Sequence, residues 1–317
     1  MRLGAILVTV LATLATVASG CGGDDTAGGR SDDVTTSSAA PVTTTTARRP
    51  LTVEHTTLQL VDDSRTTADP DGAEVPGRLL PTDLYVPSGD GPFPLVVHAH
   101  GFNGSPGKFS QLLERWAEAG YVVAAPRFPR TSDTGPGASG IADFPSQPGD
   151  VSFVIDELLA SEEFGSRIDA DRIGVSGLSL GGGTVYGLVY HPCCLDDRID
   201  AAIVMSSFRF SYPGDTPFGT NAVPVMILHG DADTTLPYDE AVASFEASAD
   251  PAWFVQLIGG SHAWPYEDVE SPHDALVETV TLDFWDGTLG ADPAGFTRIV
   301  ADGNVAGLAT VTAGAQG

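Results

Sequence analysis

Short apolar runs separated by turn-rich or helix-periodic stretches set the rhythm of this chain from about residue 79 onward. Leu95 to His100, Tyr121 to Ala125, Ile173 to Ser176, Ala201 to Met205, Val223 to Leu228 and Trp253 to Ile258 each have strand length. Leu79 to Val86 is more mixed and predicts an early strand. Runs that are apolar at successive positions suit strands covered on both faces, as in a parallel sheet. Between them, Phe109, Leu112, Leu113, Trp116 and Ala117 follow helical spacing, with Ser105-Pro106 as the expected cap and first turn and Gly120 as the stop. Asp150 is the expected cap of a second helix, on which Val151, Val154, Ile155, Leu158 and Leu159 share one face. Thr184 to Tyr190 is apolar enough to be a third, packed helix. This alternation predicts an α/β protein with a mostly parallel, doubly wound sheet and helices on both faces. The Gly- and Ala-rich tail beyond Gly287 predicts a short helix over 294–300 and one last extended piece. The sequence shows no internal repeat and no second folded domain.

The first 50 residues follow a different rule. Residues 1–20 carry one early charge, Arg2, then an apolar centre and a small-residue exit, Ala18-Ser19-Gly20, before Cys21. That order predicts a secretory signal peptide rather than a spanning helix. The Ala-Ser-Gly-Cys junction resembles a bacterial lipobox, which implies acylation of Cys21; the plainer alternative is an ordinary signal cut nearby. Acylation at both the thiol and the new amino terminus would give lasting attachment, which a single chain does not. Residues 21–50 are Gly, Asp, Ser and Thr with almost no large apolar side chain, and so predict a flexible tether spanning roughly 30 Å. Residues 51–317 remain for one large folded domain. The expected location is across the cytoplasmic membrane, with the domain lipid-anchored on the outer face.

A formal charge of −27 argues against nucleic acid as a partner and against docking on anionic lipid. Beyond Cys21 the only cysteines are Cys193 and Cys194, side by side. They are either two thiols or a strained vicinal disulfide, and neither staples distant parts of the fold.

The candidate chemistry begins at Gly177-Leu178-Ser179-Leu180-Gly181, between an expected strand and an expected helix. A glycine two residues either side of a serine permits a turn too tight for β-carbons, leaving the hydroxyl projecting beyond the sheet. The N–H of Leu180 then points outward at a helix N-terminus, where it can stabilise an oxyanion. A serine hydroxyl needs a base, and the base needs a group to orient it. Asp231 and Asp233 follow the Val223–Leu228 run, and His262 follows the Trp253–Ile258 run. Asp231 lies nearer the strand and could instead bond the turn backbone, whereas Asp233 is placed to reach a histidine loop, and it is preferred. His273 looks like the exposed start of a helix. His98 and His100 share one side of a strand, but no further ligand follows at metal spacing, and His100-Gly101 is read as part of the oxyanion loop, with Phe102 supplying the second N–H. Phe102, Trp264 and Phe208 could line an apolar pocket, or simply pack in the core. No metal or other cofactor is expected.

Four motifs in this order, His98-Ala99-His100-Gly101-Phe102-Asn103-Gly104, Gly177 to Gly183, His229 to Thr234 and Gly259-Gly260-Ser261-His262, resemble the serine esterases of the α/β-hydrolase superfamily. The resemblance covers most of residues 79–287. It is strongest to the branch of cutinase-like polyester hydrolases, platelet-activating-factor acetylhydrolases, chlorophyllases and dienelactone-hydrolase-like proteins. It implies the α/β-hydrolase fold, Ser179 as nucleophile, His262 as base, Asp233 as its orienter, and Phe102 and Leu180 as oxyanion donors. It further implies a cofactor-independent enzyme, a monomer, acting on carboxylic esters. Leu180 stands where polyester hydrolases usually have methionine, and no tryptophan occurs near residues 205–208. Dienelactone hydrolases carry cysteine where Ser179 stands. A serine peptidase or amidase on the same fold and a non-catalytic envelope binding protein are the alternatives.

Overall fold

Nine strands form one mixed sheet in a computed structural model that describes residues 49–68, 73–134, 140–214, 216–219, 223–290 and 292–314. The expected signal peptide, Cys21 and all of the expected tether except residues 49 and 50 lie outside the described residues. In chain order the strands are β1 (Val53–Ala68), β2 (Glu74–Pro87), β3 (Phe93–Ala99), β4 (Val122–Pro126), β5 (Ile168–Leu178), β6 (Ile199–Met205), β7 (Val225–Gly230), β8 (Ala252–Leu257) and β9 (Ala309–Ala313). Across the sheet they run β1-β2-β4-β3-β5-β6-β7-β8-β9. The block from β4 to β8 pairs in parallel, while β1, β2 and β9 are antiparallel additions at its two sides. Among the described residues six α-helices accompany them: α1 (Ser110–Glu118), α2 (Gln147–Ala160), α3 (Leu180–Tyr190), α4 (Tyr238–Glu246), α5 (Asp274–Thr288) and α6 (Ala294–Gly303).

The continuous apolar runs are buried on both faces. Leu95 and Val97 of β3, with Val122 and Ala124 of β4, point into a cluster shared with α2, α3 and α4. Val96, Val123 and Ala125 point the opposite way, into a second cluster with α1, α5 and α6. Trp116 and Trp285 meet edge to face in that second cluster at 5.7 Å, and the Trp116 Nε1–H donates to Thr281 Oγ1 over 3.0 Å. Every residue of α3 is buried, as expected for a helix that is apolar all round. The α/β class, the mostly parallel sheet and the helices on both faces agree with the pattern of the sequence.

Three expectations fail for identifiable reasons. Ser105 does not cap a helix; its hydroxyl donates to Asp133, and residues 106–109 form a 3₁₀ turn before α1 begins at Ser110. Asp150 is not a cap either, because α2 starts three residues earlier at Gln147. Its carboxylate is fully buried and receives Arg78 Nε and Nη2, both at 2.6 Å, and Arg65 Nη2 at 2.7 Å. His273 is buried rather than exposed, donating from Nε2 to the Ile258 carbonyl over 3.1 Å. The cysteine pair occurs as the vicinal disulfide.

Arg78 is the hub that ties the β1–β2 hairpin to the first turn of α2. It is 1% exposed and also holds Asp143 through two bonds of 2.8 and 2.9 Å. A buried pair contributes little net stability when intact, but losing one partner strands the remaining charge. Arg78→Met is therefore expected to cost about 3–5 kcal/mol by removing two charged bonds each from buried Asp143 and Asp150, the latter keeping only Arg65. Urea unfolding measures this, and a loss under about 1 kcal/mol would contradict it.

Candidate active site

The parallel strands deliver their loops to one edge of the sheet, and that edge gathers the chemistry-bearing residues. Three non-glycine residues in the described chain have positive φ: Asn103 after β3, Ser179 after β5 and Ser206 after β6. Side chains disfavour this region, and such strain recurs where function over-determines the backbone. At Ser179 (φ 55°, ψ −118°) the strand turns directly into α3. A β-carbon on Gly177 would collide with the Gly181 carbonyl, and one on Gly181 with the carbonyl of Ala99 at the end of β3. Both glycines are therefore dictated by close backbone approach, as the motif predicts. The turn is fixed by the Ser179 N–H bond to the Met205 carbonyl (2.9 Å) and by Ser207 Oγ donating to the Ser179 carbonyl (2.6 Å).

Beside the serine lies the loop after β3. A β-carbon on Gly101 would sit 3.2 Å from the Ser179 Cβ and 3.8 Å from its Oγ, so the two segments touch at the hydroxyl. Among the described residues, no acceptor takes the N–H of Phe102 or of Leu180. Both N–H groups, one next to Ser179 and one next to Gly101, are thus available to an oxyanion. The loop is braced from below. His100 donates from Nδ1 to the Gly101 carbonyl (2.7 Å) and accepts the Phe128 N–H at Nε2 (3.1 Å), which defines a neutral tautomer. The Asn103 N–H bonds the Thr131 carbonyl (2.7 Å), and Gln147 links the Thr131 hydroxyl to that of Thr184 in α3, both at 2.6 Å. Thr131, Gln147 and Thr184 are fully buried. The nucleophile helix and the oxyanion loop are therefore parts of one polar network.

Asp233 and His262 meet directly. His262 Nδ1 lies 2.7 Å from Asp233 Oδ2, so the carboxylate fixes the proton on Nδ1 and leaves Nε2 as the basic nitrogen. Asp233 Oδ1 accepts the N–H groups of Thr235 (2.7 Å) and Leu236 (3.0 Å). Asp231 takes the other role foreseen for it: its carboxylate accepts from Gly259 N–H (2.7 Å) and Gln256 Nε2 (2.9 Å), tying down the turn after β8.

A residue the sequence did not single out completes the carboxylate's shell. His229 is fully buried, and its Nε2 lies 3.2 Å from Asp233 Oδ2 and 3.3 Å from the Leu236 carbonyl. A carbonyl only accepts, so His229 carries its proton on Nε2, while Nδ1 is buried without a partner. Burial lowers the pKa of His229, outweighing the pull of Asp233. Asp233 is thus held by two imidazoles and two peptides with no side-chain exposure. The only local signal was the spacing of four between His229 and Asp233 across a tight turn.

The aromatic candidates divide. Phe102 and Trp264 are exposed at the rim, and the Trp264 indole donates to the Glu270 carbonyl (2.8 Å). Phe208 is half-buried and meets Phe210 in a tilted ring contact at 4.4 Å. The Leu180 side chain packs inward against Phe144 and Tyr212, so only its backbone faces the site. Lys108 donates to the Asn103 carbonyl (3.1 Å), and its ammonium stands 3.9 Å from Glu267, whose pKa is raised by burial.

His98 and His100 do not converge as ligands. The Nδ1 of His98 pairs with Ser176 Oγ at 3.0 Å, and both ring nitrogens of His100 hold backbone. Burial depresses their pKa values to about 3 for His98, helped by His100, and to about 4 for His100. Because the unfolded chain takes up these protons near pH 6.5, folding stability is full above that pH and falls as the pH drops toward about 4. The expected slope is up to about 1.4 kcal/mol per pH unit for each histidine. Urea unfolding from pH 7 to 4.5 tests this; His100→Gln should flatten the decline, and an unchanged slope would contradict it.

A scan against protein-family models matches none of them, and no curated protein matches the chain.

Proposed function

We propose that this protein is a serine ester hydrolase of the α/β-hydrolase fold, held on the outer face of the cytoplasmic membrane through a lipidated Cys21. The observation that carries the activity is the His262–Asp233 contact of 2.7 Å at the edge where Ser179 occupies its strained turn. A binding module has no need of a serine at φ 55°, an imidazole with an oriented proton and two unclaimed N–H donors together. The lipobox-like sequence supports an extracytoplasmic location, and nothing in the reading calls for a cofactor or nucleic acid.

The reaction runs as acyl transfer. Ser179 Oγ attacks the ester carbonyl while His262 Nε2 takes its proton, and Asp233 stabilises the imidazolium that forms. The N–H groups of Phe102 and Leu180 hold the tetrahedral oxyanion, a contribution of roughly 3–4 kcal/mol per donor in comparable sites. His262 then protonates the departing alcohol. Water, deprotonated by the same imidazole, cleaves the acyl-enzyme and releases the carboxylic acid. His229 acts through Asp233 as a positioning residue, its neutral N–H keeping the carboxylate plane turned toward His262.

Steady-state hydrolysis of p-nitrophenyl acetate and butyrate by the purified protein tests the reading. Ser179→Ala is expected to lower kcat/KM by at least about 10⁴-fold, and Asp233→Asn by about 10³–10⁴-fold. Turnover that survives in Ser179→Ala, or faster cleavage of the matching amide than of the ester, would overturn it.

A further inference from the structure

At the far end of α3, opposite the serine turn, the chain places three soft-metal donors together. His191 caps the helix, and Cys193 and Cys194 follow it. A ring nitrogen of His191 and the two sulfurs lie within 4.8 Å of one another. A tetrahedral ion with metal–sulfur bonds of about 2.3 Å and metal–nitrogen bonds of about 2.0 Å spaces its donors roughly 3.3–3.8 Å apart, so the two sulfurs, bonded to each other in the disulfide, must first separate on reduction.

The imidazole is in the tautomer that ligation needs. Its Nε2 donates to the Thr216 carbonyl over 2.9 Å, so the neutral ring carries its lone pair on Nδ1. That lone pair faces the cysteines, accepting the Cys193 N–H at 3.2 Å. A backbone carbonyl on the distal ring nitrogen is the usual support of a metal-bound histidine. The ring cannot swing away, being stacked on Tyr212 at 4.7 Å and edged by Phe218 at 5.0 Å. Cys193 is exposed and Cys194 half-buried, which gives reductant and ion access and leaves a coordination position open to solvent. The carboxyl end of the helix dipole also favours a cation there.

We propose that His191, Cys193 and Cys194 form a redox-gated site for a soft divalent cation of the zinc or cadmium type, closed as the disulfide and opened by reduction. Two molecules of a small thiol supply the two electrons and two protons that convert the S–S bond to two S–H groups, and are themselves joined as a disulfide. The ion then displaces both thiol protons, and the neutral His191 Nδ1 gives up its hydrogen bond from the Cys193 N–H to coordinate the ion. The site stands independently of the ester-hydrolase reading.

Metal binding to the full chain decides it. The protein is reduced with a phosphine, which takes its oxygen from water as the disulfide gains two hydrogens, then desalted without air and titrated with Cd²⁺ alone or Zn²⁺ alone. The expected result is one ion per chain with a cadmium–thiolate charge-transfer band. Neither the oxidised protein nor Cys193→Ser/Cys194→Ser should give that band, and His191→Gln should bind at least about tenfold more weakly. The oxidised protein is the control for unspecific binding to a surface of charge −27. Equal binding by oxidised and reduced protein, no band after reduction, affinity indifferent to His191→Gln, or a disulfide that resists excess phosphine would each overturn the proposal. Because the double serine variant changes only an exposed and a half-buried residue, its circular dichroism should match the parent.

Discussion

The approach of α3 to the end of β3 is the constraint on which the site depends. Gly181 stands against the Ala99 carbonyl, and Gly177 against Gly181, with no room for a β-carbon at either point. That closeness forces the intervening Ser179 to φ 55°, a conformation that costs of order 1–3 kcal/mol unless its surroundings repay it. The repayment is visible in the Met205 and Ser207 hydrogen bonds and in a helix buried along its whole length. The same approach brings Gly101 to the serine hydroxyl, so nucleophile and oxyanion loop are set by one packing event.

Polar groups buried around that point act as braces rather than as a source of net stability. Gln147 joins the loop carrying Thr131 to α3, His100 grips two backbone groups, and His229 with the peptides after Asp233 fills the acceptor sites of the carboxylate that His262 leaves open. In a low-dielectric interior, each satisfied bond holds geometry and each broken one exposes an unpaired group at a cost of about 1–3 kcal/mol. The histidines serve as neutral hydrogen-bond parts, because burial holds their pKa values below that of an ordinary histidine. Arg78 performs the ionic version of the task farther out, pinning the hairpin to α2.

The parallel core was legible because strands covered on both faces must be apolar at consecutive positions, and those from β3 to β8 are. Strand β1 was not: its Thr-rich, polar sequence pairs, among the described residues, only with β2 and is largely exposed, so backbone pairing rather than side-chain burial defines it. Asp150 looked like a cap because the sequence near a helix start cannot reveal an arginine arriving from residue 78. Ser179, Asp233 and His262 could be picked out because tight turns after strands constrain composition locally. His229 and Gln147 could not, since their roles exist only once distant segments meet. The Asp231 and Asp233 alternatives separated only in space, one carboxylate facing the turn after β8 and the other His262.

Ser179 as an activated nucleophile is the central claim, and its most direct test is covalent. A fluorophosphonate probe should add to the native protein at one to one, and peptide mapping should place the adduct on Ser179. Labelling should vanish in Ser179→Ala and slow sharply in His262→Gln. A native protein inert to the probe across pH 6–9, or an adduct that persists in Ser179→Ala, would contradict the account.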